Sequence, residues 1–264
     1  SAPTLYYFCH YHSGMGGQIN TNSTHGSSNF SGNIQANVSA GTTQGFSVVT
    51  FTGNGSNSQT VGHSLSSAPE FIILKARGQG TYGWITYDAI NEAGRYLTLN
   101  NNNAIAVDSG MWSNTAPTSS VFSLSNGGNT TITNPNGVTM VCYCFHSVKG
   151  YCKIGSYIGG SDQFVYLGFK PSWIIFKNKN DSENWRIVDN KRDIDNPVVQ
   201  HIFSNSSAAE ASGSSYSDFI DFLSNGFKIR SGSGEIDGSG DRIIYMAFSE
   251  SPFVNSNGIP TNAR

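Results

Sequence analysis

The chain has 264 residues with 15 basic and 17 acidic side chains, so its formal net charge is -2 and its isoelectric point is about 6.3. Charged residues are only 12% of the chain and form no basic cluster to contact phosphates, so we expect no nucleic-acid partner. No apolar run reaches the roughly 18 residues of a membrane-spanning helix, and we expect no membrane insertion. Polarity comes from Ser, Thr, Asn and 30 glycines, which favour turns and loops.

The chain begins with a group of soft metal ligands. Cys9, His12 and Met15 are spaced three residues apart and are followed by two glycines. A thiolate, an imidazole and a weak thioether on one short loop suit copper. An alternative interpretation takes His10 and His12 as an H-x-H pair that binds iron on a threefold axis.

Residues 20–43 are rich in Ser, Asn and Gly without sustained periodicity, so we expect a linker or a loosely attached arm. After this segment, short alternating runs separated by Asn/Gly turns predict β-strands. These runs are FSVVTF (46–51), FIILKA (71–76), WITYD (84–88), YLTLN (96–100), VFSLSNGG (121–128) and VTMVCYCF (138–145). Helical patterning is limited to EAGRYL (92–97) and SDFIDFL (217–223), each enough for a turn or two.

The four cysteines do not make a disulfide framework in a chain of this length. Cys142 and Cys144 lie two residues apart on one predicted strand and share a face. We expect ordinary buried thiols, with a Cys144–Cys152 bridge as the alternative.

The chain also repeats itself. Residues 67–88 align with 169–190, so that Pro69 matches Pro171 and, after a one-residue slip, Trp84 matches Trp185. Further matches are YLTLNNNNA with QHIFSNSSA, LSNGG with LSNGF, and MVCYCFHS with IIYMAFSE. A repeat of about 100 residues is the size of one β-sandwich.

The sequence therefore predicts an all-β fold with two tandem, related antiparallel β-sandwich domains of jelly-roll-like type. We expect these domains at residues 44–149 and 150–250. A short N-terminal stub and arm would cover residues 1–43, and a C-terminal tail would cover 251–264. In each copy the tryptophan that opens an alternating strand is explained either by packing or as a sugar-stacking ring.

Carboxylates are the remaining candidates for chemistry. Asp88 and Asp189 are shared by the two copies at a strand end, which favours a structural role. Asp237 and Asp241 lie in a glycine-rich loop and offer oxygen ligands to calcium, as does the stretch 193–196; the alternative for the glycine-rich loop is a plain hairpin turn. No catalytic motif or convincing acid pair is present, so we predict no enzyme, no catalytic residue and no cofactor.

The segment LYYFCHYHSGMGGQINTN, within residues 1–22, resembles the final strand, loop and strand of cupredoxins. The resemblance implies that Cys9, His12 and Met15 are three of four copper ligands, the fourth being a histidine from well upstream. Because nothing lies upstream here, we expect the C-terminal remnant of a cupredoxin-like domain and not a working metal site.

A second resemblance covers roughly residues 46–264. The segments that carry it are VGHSLSSAPEFIILK, MWSNTAPTSSVFSLS, FVYLGFKPSWIIFKN, DNKRDIDN, DFLSNGFKIRS, IIYMAFSESPF and NGIPTNAR. They are similar to a tandem-repeat β-domain family of bacteriophage tail fibres and other virion structural proteins, especially from marine phages. One departure is the asparagine-rich insertion NNNNAIAVDSG (100–110) in the first copy, which makes its surface loop individual.

This resemblance implies an exposed virion appendage, such as a tail fibre, that contacts the host surface through a glycan or another receptor. Candidate glycan contacts are the aromatic residues Tyr82, Trp84, Trp112 and Trp185. Other virion proteins are expected partners, and a homo-oligomer, with a trimer favoured, would add avidity. The alternatives are an architectural capsid or decoration protein without receptor contact, and a tailspike-like polysaccharide-degrading enzyme, which would need paired acids.

Overall fold

The computed structural model describes residues 26–80, 82–126, 133–160, 162–211, 219–231 and 234–251, together with Tyr11 and the backbone of two N-terminal strands. The strands up to residue 145 are β1 (Leu5–Phe8), β2 (Gly16–Ile19), β3 (Ser27–Asn29), β4 (Ala36–Gly41), β5 (Phe46–Thr52), β6 (Gln59–Gly62), β7 (Phe71–Ala76), β8 (Ile85–Asp88), β9 (Arg95–Thr98), β10 (Ala106–Val107), β11 (Val121–Leu124) and β12 (Thr139–Phe145). The later strands are β13 (Cys152–Ile158), β14 (Gln163–Tyr166), β15 (Pro171–Asn178), β16 (Arg186–Asp189), β17 (Ile202–Phe203), β18 (Phe219–Leu223), β19 (Gly226–Ser231) and β20 (Arg242–Ser249). Helical structure in the described residues is limited to a 3₁₀ turn (Met111–Asn114) and one short helix, α1 (Gly234–Asp237).

Strands β3 to β12 form a first sandwich. Eight of them make one antiparallel sheet in the order β10-β9-β8-β7-β12-β5-β4-β3, and β6 pairs with β11 in a second, smaller sheet. Alternate residues of the large sheet, such as Ile72 and Leu74, pack with Phe122 of the small sheet in one buried cluster. This arrangement follows from the period-two alternation of apolar residues along the strands.

Strands β13 to β20 form a second sandwich of the same kind. A five-stranded sheet in the order β13-β20-β15-β16-β17 packs on a three-stranded sheet in the order β14-β19-β18. Phe227 lies at the centre of this core, with its ring centroid 5.4 Å from those of Phe176 and Tyr245. The prediction of an all-β fold built from antiparallel sandwiches is confirmed.

The two large sheets also pack against each other through their outer faces. Phe71 and Leu97 of the first sandwich share a buried cluster with Ile175, Ile244 and Met246 of the second. The intervening residues on the same strands point into the two separate sandwich cores. The central strands are thus buried on both faces, which explains why they read as nearly continuous apolar runs.

The same pairing registers recur in both sandwiches. Leu74 of β7 lies opposite Ile85 of β8, and Phe176 of β15 lies opposite Arg186 of β16. In the smaller sheets, β6 pairs with β11 as β14 pairs with β19. The predicted match of LSNGG with LSNGF is therefore wrong, because LSNGG begins at the end of β11, the counterpart of β19, whereas LSNGF begins at the end of β18.

The expectation of a loosely attached arm is wrong for residues 27–41. Strand β4 pairs with β5 along its whole length, and β3 pairs with β4 at the edge of the large sheet. Ala36 and Val38 of β4 point into the first core and are buried. Because these inward-facing residues are small and their neighbours are Asn and Ser, the alternation was too weak to indicate a strand.

The helical expectations for EAGRYL and SDFIDFL are also wrong, since these segments contribute to strands β9 and β18. Pairing of β9 with β8 and of β18 with β19 overrides their weak local preference. The short helix α1 instead lies in the loop that precedes β20. None of the helices in the described ranges is long and apolar enough to cross a membrane.

Three cysteines are described, and all are free and buried: Cys142, Cys144 and Cys152. Burial raises the pKa of Cys144 to about 12 and that of Cys152 to about 11. The expectation of ordinary buried thiols is confirmed for these residues, and the alternative Cys144–Cys152 bridge is wrong.

Candidate functional site

The predicted copper ligands and the alternative histidine pair fall outside the described residues. This applies to Cys9, His10, His12 and Met15. The hypothesis of a metal site near the N-terminus therefore stays a prediction.

The predicted calcium ligands lie near the end of the second sandwich. Asp237 belongs to α1, where a plain hairpin turn was the alternative, and Asp241 accepts a hydrogen bond on Oδ2 from Asn178 Nδ2 at 2.9 Å. Asp193 accepts the backbone N–H groups of Val199 and Gln200 at 2.7 and 2.6 Å. Within the part of the chain that is described, no cluster of three or more His, Cys, Asp or Glu residues is positioned to hold a metal ion.

Two of the predicted glycan contacts are core residues. The side chains of Trp112 and Trp185 are each only 1% exposed, so neither can stack on a receptor. Trp112 lies in a left-handed turn that places its ring 5.8 Å from Tyr87. Trp185 lies between the two large sheets, 6.3 Å from Phe71. The packing explanation is therefore correct for Trp185, and the expectation that Trp112 contacts a glycan is wrong.

The other two aromatic candidates lie together at the edge of the first sandwich. Tyr82 lines a cleft there, and Trp84 is 36% exposed beside it. The cleft has a volume of about 300 Å³. Residues of the asparagine-rich insertion form part of the same cleft, so two features noted separately in the sequence converge on one surface.

We call this surface the asparagine cleft. It is lined by Tyr82, Gly83, Ile85, Tyr96, Leu97, Thr98, Asn100, Asn101, Asn103, Ala104 and Ala106. Its floor is the inner face of the edge strands β8, β9 and β10, where Ile85 pairs with Thr98 and Tyr96 pairs with Ala106. Ile85 belongs to the buried core of the first sandwich, against which the partly buried Tyr82 and Tyr96 pack.

Hydrogen bonds fix the walls of the asparagine cleft. The backbone N–H of Trp84 donates to Asn100 Oδ1 at 2.7 Å, and the backbone N–H of Asn103 donates to Asn101 Oδ1 at 3.1 Å. Gly83 permits this close approach, because a Cβ there would lie 3.2 Å from Asn100 Oδ1. On the opposite side, Lys75 Nζ donates to the carbonyl of Tyr82.

Hydrogen bonds from the second sandwich hold the asparagine-rich loop and the end of β9. The N–H of Ile105 donates to the carbonyl of Lys179 at 2.9 Å, and Asn102 Nδ2 donates to the carbonyl of Ser182 at 3.1 Å. Trp185 Nε1 donates to the carbonyl of Thr98 at 3.0 Å. The cleft therefore has one wall that depends on contacts between the two sandwiches.

The corresponding region of the second sandwich is filled. Arg186 occupies the register position of Ile85, is 1% exposed and forms an ion pair with Glu235 of α1. Its guanidinium also lies over the ring of Phe203, 5.9 Å from the centroid. The backbone N–H of Trp185 still donates to Asn205 Oδ1 at 2.8 Å, as Trp84 does to Asn100. The hydrogen bond to the tryptophan backbone is shared, but in the second copy Arg186 and Phe203 occupy the place that the cleft has in the first.

The chemistry of the asparagine cleft is neutral. None of its eleven lining residues is charged, and none is a histidine or cysteine. Its polar groups are amides, hydroxyls and backbone groups beside two tyrosine rings. Such groups donate and accept hydrogen bonds and stack on apolar faces, which suits binding, whereas the cleft residues supply no acid and base for hydrolysis.

The repeated carboxylates hold turns. Asp88 accepts hydrogen bonds from the backbone and side chain of Asn91 at 3.0 and 2.6 Å. Asp189 accepts the N–H groups of Lys191 and Arg192, both at 2.9 Å. Burial raises the pKa of Asp88, an effect that its bonds to Asn91 oppose. This agrees with the structural role expected for the pair, and neither residue lines the asparagine cleft.

Sequence reasoning did not identify Tyr96, Thr98 or the individual asparagines as site residues. The available signal was the asparagine-rich insertion, because it breaks the match between the two copies. Departures of one copy from its duplicate mark surface that the shared core does not require.

Comparison with known proteins gives one match. The model of a family described as "Domain of unknown function (DUF7483)" matches residues 20–252. No curated protein and no solved structure matches the chain. The matched range spans every strand of both sandwiches, so the family unit is the pair of sandwiches and not a single copy of the repeat.

Proposed function

The chain belongs to the DUF7483 family, and on that premise we propose that it is a surface protein of a bacteriophage virion whose asparagine cleft binds a neutral host glycan. The observation that carries the glycan assignment is an uncharged cleft bordered by two tyrosines and three asparagines. The viral context is supported by the resemblance of residues 46–264 to tail-fibre proteins.

The residue types of the cleft suit a sugar. A sugar ring presents hydroxyl groups, which need both donors and acceptors, and C–H faces, which stack on aromatic rings. Asparagine amides supply both kinds of hydrogen bond, and Tyr82 and Tyr96 supply the rings. The volume of about 300 Å³ is at the lower end of the range for small-ligand pockets, which favours a short glycan segment.

The uncharged lining also selects among ligands. An anionic or cationic group placed in the asparagine cleft would lose water without gaining a counter-charge from the eleven lining residues, and the nearby ammonium of Lys75 already donates to the carbonyl of Tyr82. We therefore expect neutral oligosaccharides to bind more tightly than sulfated, phosphorylated or amino sugars. In a homo-oligomeric appendage, several such weak sites would act together as avidity.

Binding of the full chain to a panel of neutral and charged bacterial oligosaccharides, measured by isothermal titration calorimetry, tests this function. Asn103→Ala is the sharpest variant, since the Asn103 side chain is exposed and makes no hydrogen bond to any described residue. We expect it to weaken binding of the best neutral ligand about tenfold, or about 1.4 kcal/mol. Asn136→Ala is the matched control, because that exposed asparagine lies far along the chain, between β11 and β12.

Two results would contradict the proposal. One is the absence of binding at millimolar concentration across the panel, which would leave an architectural role in the virion as the better account. The other is binding that Asn103→Ala and Asn136→Ala affect equally. Inhibition of phage adsorption by the purified protein tests the viral context separately.

A further inference from the structure

Lys177 is a buried lysine outside the asparagine cleft that reaches its wall. The side chain extends from the end of β15 and is fully buried. Its Nζ donates to three backbone carbonyls, those of Asn178 at 2.6 Å, Asp181 at 3.1 Å and Asn102 at 3.2 Å. The first two belong to the second sandwich, and the third belongs to the asparagine-rich loop of the first.

The number of donors matches the number of acceptors only in the charged state. A protonated amine has three N–H donors, one for each carbonyl. A neutral amine has two donors and a lone pair, so one carbonyl loses its donor and faces the lone pair instead. The contact to Asn102 is the longest of the three and is the only one that crosses between the sandwiches, so it is the contact expected to break.

We propose that Lys177 is a positioning residue that holds the asparagine-rich wall of the cleft in its binding conformation only while its amine is protonated. This inference rests on the proposed function for its effect on glycan affinity. The movement of the loop itself does not depend on that function.

The surroundings of Lys177 lower its pKa into a pH range in which the folded protein can be studied. Burial lowers the pKa of Lys177 to about 8, while the nearby carboxylates Glu183, Asp181 and Glu235 oppose that shift. Arg186 forms an ion pair with Glu235 and so neutralises part of that acidic charge. Lys179, the next lysine on the chain, also has a pKa lowered by burial, but its amine donates to Asn91 Oδ1 and not to the loop.

Nuclear magnetic resonance of the isotopically labelled full chain tests the loop movement without any ligand. The Asn102 carbonyl carbon and the Asn103 amide should shift between pH 7 and 9.5 with a midpoint of about 8. The same shifts should persist in Lys179→Met, the matched control, and should be lost in Lys177→Met. The titration of the wild-type chain tests the inference by itself, so the test remains valid even if Lys177→Met fails to fold.

The second readout is glycan affinity. If only the protonated form is competent, about one molecule in ten remains competent at pH 9, and the dissociation constant rises about tenfold from its value at pH 7. Lys179→Met should keep this dependence. Circular dichroism at each pH would show that the fold is retained.

The outcomes separate this inference from the proposed function. Absence of a titration at Asn102 and Asn103 between pH 7 and 9.5 overturns the inference whether or not glycans bind. A titrating loop with an affinity that is flat in pH overturns the positioning role while leaving glycan binding intact. A titrating loop in a protein that binds no glycan contradicts the proposed function and supports the proton-dependent contact alone.

Discussion

The inner face of the edge strands is open to a cleft in the first sandwich and covered by side chains in the second. In the first, the inner face of β8 and β9 presents Ile85 and Thr98 to the open asparagine cleft. In the second, Arg186 takes the position of Ile85, and the Arg186–Glu235 ion pair, with Phe203 against it, occupies the corresponding space. Both sandwiches keep the same strand registers and the same asparagine contact to the tryptophan backbone.

This difference indicates a division of labour after duplication. The second sandwich has a filled edge and contributes Lys177 and Ser182 to hold the asparagine-rich loop of the first, and Trp185 to hold the end of β9. The first sandwich carries the loop and the open face. A pair of sandwiches can thus position a binding surface more rigidly than a single one, because one wall of the cleft is held from outside its own domain.

The largest loss of stability is expected when the Arg186–Glu235 ion pair at the edge of the second sandwich is broken. Glu235→Leu leaves the charge of Arg186 buried without its carboxylate, which should cost about 3–5 kcal/mol in the free energy of unfolding. The double variant Arg186→Met/Glu235→Leu should recover most of that loss, because it replaces the ion pair with apolar volume. Urea unfolding of the full chain measures both.

A conservative change at the corresponding position of the first sandwich serves as the control. Ile85→Leu keeps the volume and should cost less than about 1.5 kcal/mol. If Glu235→Leu costs no more stability than Ile85→Leu, the buried ion pair is not what fills the edge of the second sandwich.

The next largest difference is expected between the stability costs of replacing the two matched tryptophans. Trp185→Phe removes the indole hydrogen bond to Thr98 and part of the packing between the sheets, at a cost of about 1–3 kcal/mol. Trp84→Phe changes a ring that is 36% exposed and should stay within about 0.5 kcal/mol of the wild type. Equal costs in thermal unfolding would refute the buried and exposed assignments.

The smallest effect is a loss of stability at acidic pH, which we expect to arise from His63 in the first sandwich. His63 is buried, its Nδ1 accepts the N–H of Leu65 at 3.1 Å, and its Nε2 lies 3.1 Å from the carbonyl of Thr118. Burial lowers the pKa of His63 below 6.5, with His146 adding to that shift. The corresponding residue of the second sandwich is Leu167, since the N–H of each residue bonds a matching carbonyl in the smaller sheet.

The sign of this pH dependence follows from proton binding. Below pH 6.5 the unfolded chain protonates His63 more readily than the folded chain, so stability is lost as the pH falls from 7 towards 5. His63→Leu should flatten that part of the curve in melting temperature against pH. An unchanged slope in the variant would assign the acid sensitivity to other groups.

Much of the strand content was predictable because it depends on local alternation. FSVVTF, FIILKA and VTMVCYCF became β5, β7 and β12, and β12 pairs with the other two in the first large sheet. The packing of the two large sheets against each other was harder to predict from the sequence. Continuous apolar runs such as FIIL and IIYMAF signal burial on both faces, but not which distant face covers them.

The candidate site was only partly predictable for similar reasons. Tyr82 lines the asparagine cleft and three residues of the asparagine run form part of its wall, but glycan contact by Tyr82 and Trp84 stays a prediction. Trp112 was misassigned because its burial depends on a left-handed turn of three non-glycine residues, for which the sequence carries no recognisable signal. The dependence of the wall on Lys177 is a contact between domains and leaves no local pattern.

Amide chemical-shift mapping of the full chain with its best neutral oligosaccharide tests the glycan-binding claim most directly. We expect shifts concentrated at Gly83, Thr98 and residues 100–103, with none at Arg186, Phe203 and Asn205 in the second sandwich. Shifts centred on the second sandwich, or spread evenly over both, would contradict that claim.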